Sequence, residues 1–303
     1  MPTIPVRNTD GIHIIDTLMF GVEGYTASFV IDDDETMVID AGLSTDVNHV
    51  FDGLEDVGVP TEEVDYILVT HAHLDHAGGV PELADECGNA TVVCHENAYG
   101  YLTDPEMVEE LVESTKSAVG PLADAYGTLE PLPEERVETV SGGESYDLGG
   151  HVVDVMHTPG HAPHHVSLHE TETETLFVVD EGCAYFDGDE VPTTPPPNFD
   201  YEKTLESLER FRAREPEALL YGHFGVNYDG VDAVGRHVDA LEEWVETVEE
   251  AWEEHGNEEE AVSQVLERYD HRVTNPAVEA VVERDARGAL LDLRRRRGDL
   301  PNS

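Results

Sequence analysis

His71-Ala72-His73-Leu74-Asp75-His76-Ala77-Gly78-Gly79 places three imidazoles and a carboxylate on one short segment, directly after the apolar run Tyr66 to Val69. Neutral imidazole nitrogens and carboxylate oxygens are the donors that a borderline divalent ion such as zinc accepts, and their closeness in sequence leaves little chain entropy to lose when they converge. His71 and His73 are two apart, so on an extended segment leaving a strand they point the same way. Asp75 and His76 follow where the backbone can turn to face a second position. One segment can therefore serve two adjacent ions. The blander alternative, a solvated histidine-rich loop, does not explain why the run follows a buried-looking strand.

From Thr70 to Gly79 the chain resembles the metallo-β-lactamase superfamily of metallo-hydrolases, whose signature is Thr-His-x-His-x-Asp-His followed by small residues. Three later motifs extend the resemblance in the expected order: Thr158-Pro159-Gly160-His161, Leu176-Phe177-Val178-Val179-Asp180 and Leu219-Leu220-Tyr221-Gly222-His223. One position departs from the pattern, because Val179 stands where the family usually has glycine. The resemblance covers about residues 10 to 225. It implies an α/β fold, the metallo-β-lactamase αββα sandwich, with a catalytic domain over residues 1–228 and a helical C-terminal appendage over 229–303. It also implies a metal set of His71, His73, Asp75, His76, His161, Asp180 and His223. His71, His73 and His161 would hold one divalent ion, Asp75, His76 and His223 the other, and Asp180 would bridge them. Asp40, in Asp40-Ala41-Gly42, is expected to support this loop from behind, and Glu181 is a weaker alternative ligand beside Asp180.

Composition bounds the rest. A chain of 303 residues can bury one large core or two domains. Cys87, Cys94 and Cys183 are odd in number and lack metal-finger spacing, which fits a reducing compartment. The N-terminal Met1 to Arg7 carries no charged-then-apolar signal pattern, and no stretch approaches the length of a membrane span. A cytoplasmic location without a membrane partner is therefore expected.

Between the motifs, strands are expected over 11–15, 25–31 and 36–40, and a helix over 46–57 precedes the strand that delivers the metal loop. A short helix over 80–86, a strand over 91–94 and a helical stretch over 104–125, broken at Pro121, come next. Strands around 137–140, 144–148 and 152–156 lead to the Thr158 to His161 turn. The run Val191 to Asp200, with Pro195, Pro196 and Pro197, reads as a stiff loop that could place Tyr185, Phe186 and Phe199 in a pocket wall. Beyond His223, Val231, Val234, Val238, Leu241, Val245, Val248 and Trp252 recur at spacings of three and four, one apolar stripe along a long helix. Asn257 with Glu260, and Asn275 with Pro276, mark two more helix starts. The stripe suits packing on the chain's own domain, with a homodimer contact the main rival. The basic run Arg294 to Arg297 is weak evidence for nucleic acid on so acidic a chain.

The ligand set implies a dinuclear hydrolase in which a metal-activated hydroxide attacks a thioester, an ester or lactone, or a phosphodiester. The layout most resembles glyoxalase II-type thioester hydrolases, although their basic glutathione-contacting residues have no convincing match here. Asp75, a metal-bound water or His164 would return a proton to the leaving group. Two divalent metal ions, zinc foremost, would be the cofactors, with iron or manganese as alternatives, and a small molecule the substrate. The rivals are a mononuclear iron persulfide dioxygenase, an RNA- or DNA-processing metallo-hydrolase and a non-catalytic binding protein.

Sixteen Lys and Arg face 67 Asp and Glu, a net charge of −51, and the carboxylates are spread over segments that also carry periodic apolar residues. That pattern argues for a folded, salt-adapted surface rather than a disordered acidic tail. At about 1 M salt the screening length falls to roughly 3 Å, so most of the repulsion disappears. Against a net stability of only about 5 to 15 kcal/mol, the unscreened repulsion is not negligible. Circular dichroism and turnover are thus expected to fall together as salt is diluted from molar to millimolar. If both stay constant across that series, the charge has another origin.

Overall fold

Runs rich in β-branched and aromatic residues, separated by Gly- and Asp-rich turns, form two sheets in the computed structural model, which describes residues 3–269 and 276–300. The first sheet opens with β1 (Thr3–Pro5), β2 (Ile12–Asp16), β3 (Ala27–Ile31) and β4 (Thr36–Ile39), each antiparallel to the one before. Helix α1 (Asn48–Val57) then crosses to β5 (Val64–Val69), which lies parallel to β4. The metal loop follows β5 and turns into α2 (Leu74–Ala77) and α3 (Val80–Glu86). Parallel β6 (Thr91–His95), helices α4 (Tyr99–Thr103) and α5 (Pro105–Val119), and parallel β7 (Val137–Val140) complete this seven-stranded sheet. The helical stretch stops before Pro121, as its sequence suggests. At its start the Asp104 carboxylate accepts the Glu106 and Met107 amides.

The second sheet collects β8 (Ser145–Asp147), β9 (Val152–His157), β10 (Val166–Glu170) and β11 (Thr175–Val179) as antiparallel neighbours. Next comes a separate hairpin of β12 (Cys183–Phe186) and β13 (Asp189–Pro192). From the sequence, no strand is expected over 183–190 and a stiff loop only from Val191 onward. That reading overlooks Asp187-Gly188, whose positive φ values of 54° and 94° are what a tight two-residue hairpin turn requires. Helix α6 (Tyr201–Arg212) leads to β14 (Ala218–Tyr221), parallel to β11, and β15 (Val226–Asn227) closes the edge. Helices α7 (Val231–His255), α8 (Glu258–Arg268) and α9 (Pro276–Arg296) end the chain. Asn257 caps α8 by accepting the Glu260 amide at 3.2 Å, whereas the expected cap at Asn275 lies outside the described residues.

Packing arranges these elements as helix, sheet, sheet, helix. Ile14, Phe29, Ile39, Leu68, Phe177 and Leu220 belong to the cluster between the sheets, where Phe29 and Phe177 meet edge to face at 5.3 Å. Val50, Leu54, Val80 and Leu83 cover the outer face of the first sheet. Leu208, Phe211, Val234, Leu241, Val245, Val248 and Leu290 cover the outer face of the second, against Leu176, Val178, Leu219 and Tyr221. The stripe on α7 thus packs on the chain's own sheet, with Val234, Leu241, Val245 and Val248 buried and Val231, Val238 and Trp252 half-buried. Phe199 is 2% exposed in this same cluster, so it is core and not pocket wall. The basic run is similarly absorbed: Arg295 donates to the Pro197 carbonyl, Arg296 pairs with Asp292, and Arg297 with Glu249 and Glu253. Arg294 lies over the Trp252 ring at 5.1 Å.

Val179 ends β11 at φ 55°, a left-handed conformation that costs a residue other than glycine about 1–2 kcal/mol. Its side chain is fully buried between the sheets. The register slips between Phe177 and Val179 on the β14 side, and this turns the chain out of the sheet at Asp180. Replacing Val179 therefore sets buried area against strain. Val179→Ala loses two methyl groups and keeps most of the strain, so it should destabilise by about 1–2 kcal/mol. Val179→Gly loses slightly more area but relieves the strain, and should lie within about 1 kcal/mol of the parent. Denaturant unfolding in molar salt measures both; an alanine variant more stable than the glycine variant would contradict this account.

Candidate metal centre

Five loop ends meet at one rim of the sandwich. Asp40 follows β4, His71 to His76 follow β5, Thr158 to His161 follow β9, Asp180 follows β11 and His223 follows β14. Backbone bonds tie the two sheets together there, from Val166 N to Thr70 O at 2.9 Å and from Ala27 N to Gly222 O at 2.8 Å. All seven residues expected as metal donors come together. His71, His73 and His161 form one group, Asp75, His76 and His223 another, and His71, His76 and Asp180 overlap both. Asp180 Oδ2 lies 3.4 Å from His76 Nε2 and from His223 Nε2, 3.6 Å from His161 Nε2 and 3.8 Å from His71 Nε2. His223 Nε2 is also 3.4 Å from Asp75 Oδ2, and His161 Nε2 is 3.1 Å from His73 Nδ1. Gly222 permits this closeness, because a Cβ there would stand 2.6 Å from Asp180 Oδ1 and 2.8 Å from His76 Cε1.

The outer nitrogens of His71, His76, His161 and His223 are engaged, which fixes which nitrogen of each faces inward. Asp40 accepts from His76 Nδ1 at 2.9 Å and from the Thr70 hydroxyl at 2.7 Å. Since that hydroxyl has spent its hydrogen on Asp40, it accepts from His71 Nδ1 at 3.1 Å. His223 Nδ1 donates to the Tyr25 carbonyl at 3.1 Å, and His161 Nδ1 faces the Thr193 carbonyl at 3.4 Å. Asp40 thus stands where the sequence reading placed it. Thr193 and Thr194, which that reading passed over, bind the site to the C-terminal helices. The Thr193 hydroxyl donates to the Asp180 carbonyl, while the Thr194 hydroxyl donates to Asp285 O on α9 at 2.7 Å and accepts from Trp244 Nε1 on α7 at 3.0 Å. Nothing local in the sequence marks that pair.

Glu181 does not face the donor set. Its carboxylate accepts the Gly160 and His161 amides at 3.2 and 2.9 Å, holding the turn that presents His161. Burial nevertheless pushes its pKa up to about 8, despite these hydrogen bonds. His164 is buried beside the first group, with its ring 6.3 Å from that of His73, and its Nδ1 faces the Ala72 amide at 3.4 Å. Burial, with neighbouring imidazoles adding to it, lowers its pKa to about 3. His165 faces the Thr158 hydroxyl, and His95 stacks on His157 at 3.9 Å away from the donors.

These residues fit bound metal ions. His71 Nε2, His76 Nε2 and Asp180 Oδ1 are buried without a well-formed hydrogen bond, although both nitrogens face Asp180. Buried polar atoms left in this state cost stability unless something else satisfies them, and a shared cation would. Without metal the imidazoles divide. Burial holds His71 and His161 well below their ordinary value and His73 at about 4. Burial acts the same way on His76 and His223, but the Asp180 charge and hydrogen bonds to carboxylates outweigh it, raising His76 well above its usual value and His223 to about 10. Asp180 and Asp75 respond in reverse: burial would raise them, and the surrounding imidazoles hold both well below the usual carboxylate range.

A pH dependence of the metal-free protein follows. A histidine whose folded pKa lies above its unfolded value stabilises fully below about 6.5, and that contribution is lost as pH rises through the folded value. The metal-free protein should therefore lose stability between about pH 6.5 and 10, with His223 the group of defined range. Metal loading at neutral pH should release about two protons, from His76 and His223. Calorimetric titration of zinc in buffers of different ionisation enthalpy counts them; release of none would contradict this charge distribution.

Comparisons with known proteins agree with the geometry. The metallo-beta-lactamase superfamily model matches residues 21–223, the span that contains every donor. The metallo-beta-lactamase fold-containing protein ST1585 of Sulfurisphaera tokodaii is 38% identical over 192 residues, 63% of this chain and 69% of that protein. Its crystal structure superposes with a TM-score of 0.67 at 32% identity, covering 78% of this chain and 87% of that one. A hydroxyacylglutathione hydrolase of Haemophilus influenzae is 30% identical over 142 residues, 47% of this chain and 59% of that protein. An N-acyl homoserine lactonase of Bacillus cereus is 26% identical over 183 residues, 59% of this chain and 63% of that one. With its signature motifs, its two packed sheets and its donors gathered at one rim, the chain belongs to the metallo-beta-lactamase superfamily, a metal-dependent hydrolase fold.

Proposed function

We propose that the protein is a dinuclear metal-dependent hydrolase of activated acyl compounds, with a thioester the favoured substrate. The observation that carries this reading is the position of Asp180 Oδ2, which lies 3.4 to 3.8 Å from four imidazole nitrogens drawn from both donor groups. A carboxylate so placed suits a bridge between two cations. His71, His73 and His161 would hold one ion, and Asp75, His76 and His223 the other. Two divalent ions, zinc foremost, would supply Lewis acidity and lower a water's pKa from about 15.7 to about 7.

The chain's own residues would then orient the reaction and move its proton. Asp75, whose carboxylate lies 3.4 Å from His223 Nε2, is placed to take the proton of the attacking water and return it to the leaving group, although the imidazoles that hold it well below the usual carboxylate range weaken it as a base. His164 suits that role less well. Its neutral imidazole is a weak acid, and its bond to the Ala72 amide fits a residue that braces the His71 to His73 segment. Glu181 and Thr193 hold the His161 turn in register with Asp180. The hydroxyacylglutathione hydrolase relative supports a thioester, and the lactonase relative keeps lactones next in order. The dispersed acidic charge supports work in a salt-rich cytoplasm.

A panel of thioester, lactone and phosphodiester substrates, assayed in molar salt with metal analysis, tests the reading. About two zinc ions per chain and fastest turnover of a thioester are expected. Asp180→Asn should lower metal occupancy and reduce kcat/KM by about a hundredfold or more. His73→Ala should abolish activity with the fold retained. Full activity with a single iron and consumption of oxygen would replace the hydrolase by a dioxygenase.

A further inference from the structure

His164 uses one ring nitrogen and leaves the other free. Its Nδ1 accepts the Ala72 amide at 3.4 Å, so the ring is neutral and its hydrogen sits on Nε2. Nε2 has no hydrogen-bond partner among the described residues, and it is not sealed from solvent either. A buried side chain with an unused donor is uncommon, since nearly every such group finds a partner. His165, the next residue, shows the ordinary arrangement: its Nδ1 faces the Thr158 hydroxyl at 2.9 Å and its Nε2 accepts the Asp180 amide at 3.4 Å. Structural support thus accounts for both nitrogens of His165 and for only one of His164.

The position of His164 gives its free nitrogen a use. Its ring lies 6.3 Å from that of His73 and 6.5 Å from that of His71, two members of one donor group, and meets Tyr101 on α4 edge-on at 5.6 Å. The residue is only 6% exposed, while His73 and Tyr101 beside it are half-buried and reach solvent. Three rings therefore hold this imidazole at the side of the centre that opens outward. Its direction is set before a substrate arrives, which is the condition under which a hydrogen-bond donor does most for a developing charge. A neutral imidazole gives up its hydrogen reluctantly, but it can polarise an oxygen without transferring a proton.

We propose that His164 Nε2–H donates a hydrogen bond to the carbonyl oxygen of the substrate, which makes His164 a catalytic residue. As hydroxide adds to the carbonyl carbon, the π pair moves onto that oxygen, and Nε2 keeps its hydrogen while sharing it with the new oxyanion. The pair then returns to re-form the carbonyl, the leaving group departs with its bonding pair, and the hydrogen bond weakens again. No proton leaves His164, so its part is distinct from that of Asp75. The proposal rests on the hydrolase reading above and adds the group that meets the attacked oxygen.

Two substitutions separate the donor from the brace. Asparagine puts its carbonyl where Nδ1 stood, so His164→Asn keeps an acceptor for the Ala72 amide and removes the donor. Glutamine puts its amide nitrogen where Nε2 stood, so His164→Gln keeps a donor and removes the acceptor. On the best substrate of the panel in molar salt, His164→Asn should lower kcat about a hundredfold with KM changed less than about threefold and zinc content unchanged, and His164→Gln should recover to within about tenfold of the parent. Methylphosphonate, a tetrahedral anion, gives a second readout: in calorimetric titration of the zinc-loaded protein it should bind His164→Asn about tenfold more weakly than the parent. Nitrogen NMR of histidine-labelled protein should find the His164 hydrogen on Nε2. A hydrogen on Nδ1, a His164→Asn variant that matches the parent in kcat, or methylphosphonate that fails to bind the parent or binds both proteins equally overturns the donor. Affinity that falls as expected, in a protein that hydrolyses nothing in the panel, upholds the donor and overturns the hydrolase reading instead.

Discussion

One buried carboxylate holds the two halves of this molecule in register. Asp180 leaves the second sheet and meets imidazoles that come from the first sheet, His71 and His76, and from the second, His161 and His223. Four nitrogens cannot all satisfy one oxygen by hydrogen bonding. The arrangement is therefore unfavourable by itself and becomes favourable when cations share it. The surrounding structure reads as a response to that constraint. Asp40, Thr70, the Tyr25 carbonyl and the Thr193 carbonyl occupy the outer nitrogens, so the inward ones have a defined direction. Strain is admitted at the same place, since Val179 takes a left-handed backbone to aim Asp180 out of its strand.

The helices after residue 223 lie beyond the span of the family match, yet they touch this centre indirectly. Thr194 joins α7 and α9 through its hydroxyl, and its neighbour Thr193 contacts both Asp180 and His161. Gly288 on α9 allows the approach, because a Cβ there would stand 1.9 Å from the Thr194 carbonyl. The apolar stripe of α7 is thus more than cover for the second sheet. By packing there it presses a clasp of two threonines against the donor set.

Charge acts on a different scale from these contacts. The carboxylates at the centre are held ionised by imidazoles a few ångströms away, whereas most of the other acidic residues are scattered over the surface and feel one another through solvent. Salt screens the second kind and scarcely reaches the first. Metal binding and tolerance of dilute solution are accordingly separable properties of this chain.

The sequence by itself marked the candidate donors, their order and the fold that carries them. Histidine and aspartate at close, fixed spacing after an apolar strand have few other uses, and alternation of strand and helix leaves few architectures. It also determined the amphipathic α7, since a stripe at helical period needs only local geometry to be recognised. Tertiary structure decided the rest. The Asp187-Gly188 hairpin was legible but went unread beneath the prolines that follow it. Thr193, Thr194 and Glu181 were not legible, because their partners lie tens of residues away and nothing in their spacing records the meeting. The same holds for the rings of Tyr126, Phe20, Tyr25 and Phe186, which come from two loops and the end of β12 and meet only when the sandwich closes. Residues that share a local segment leave a pattern in the sequence; residues brought together across the fold do not.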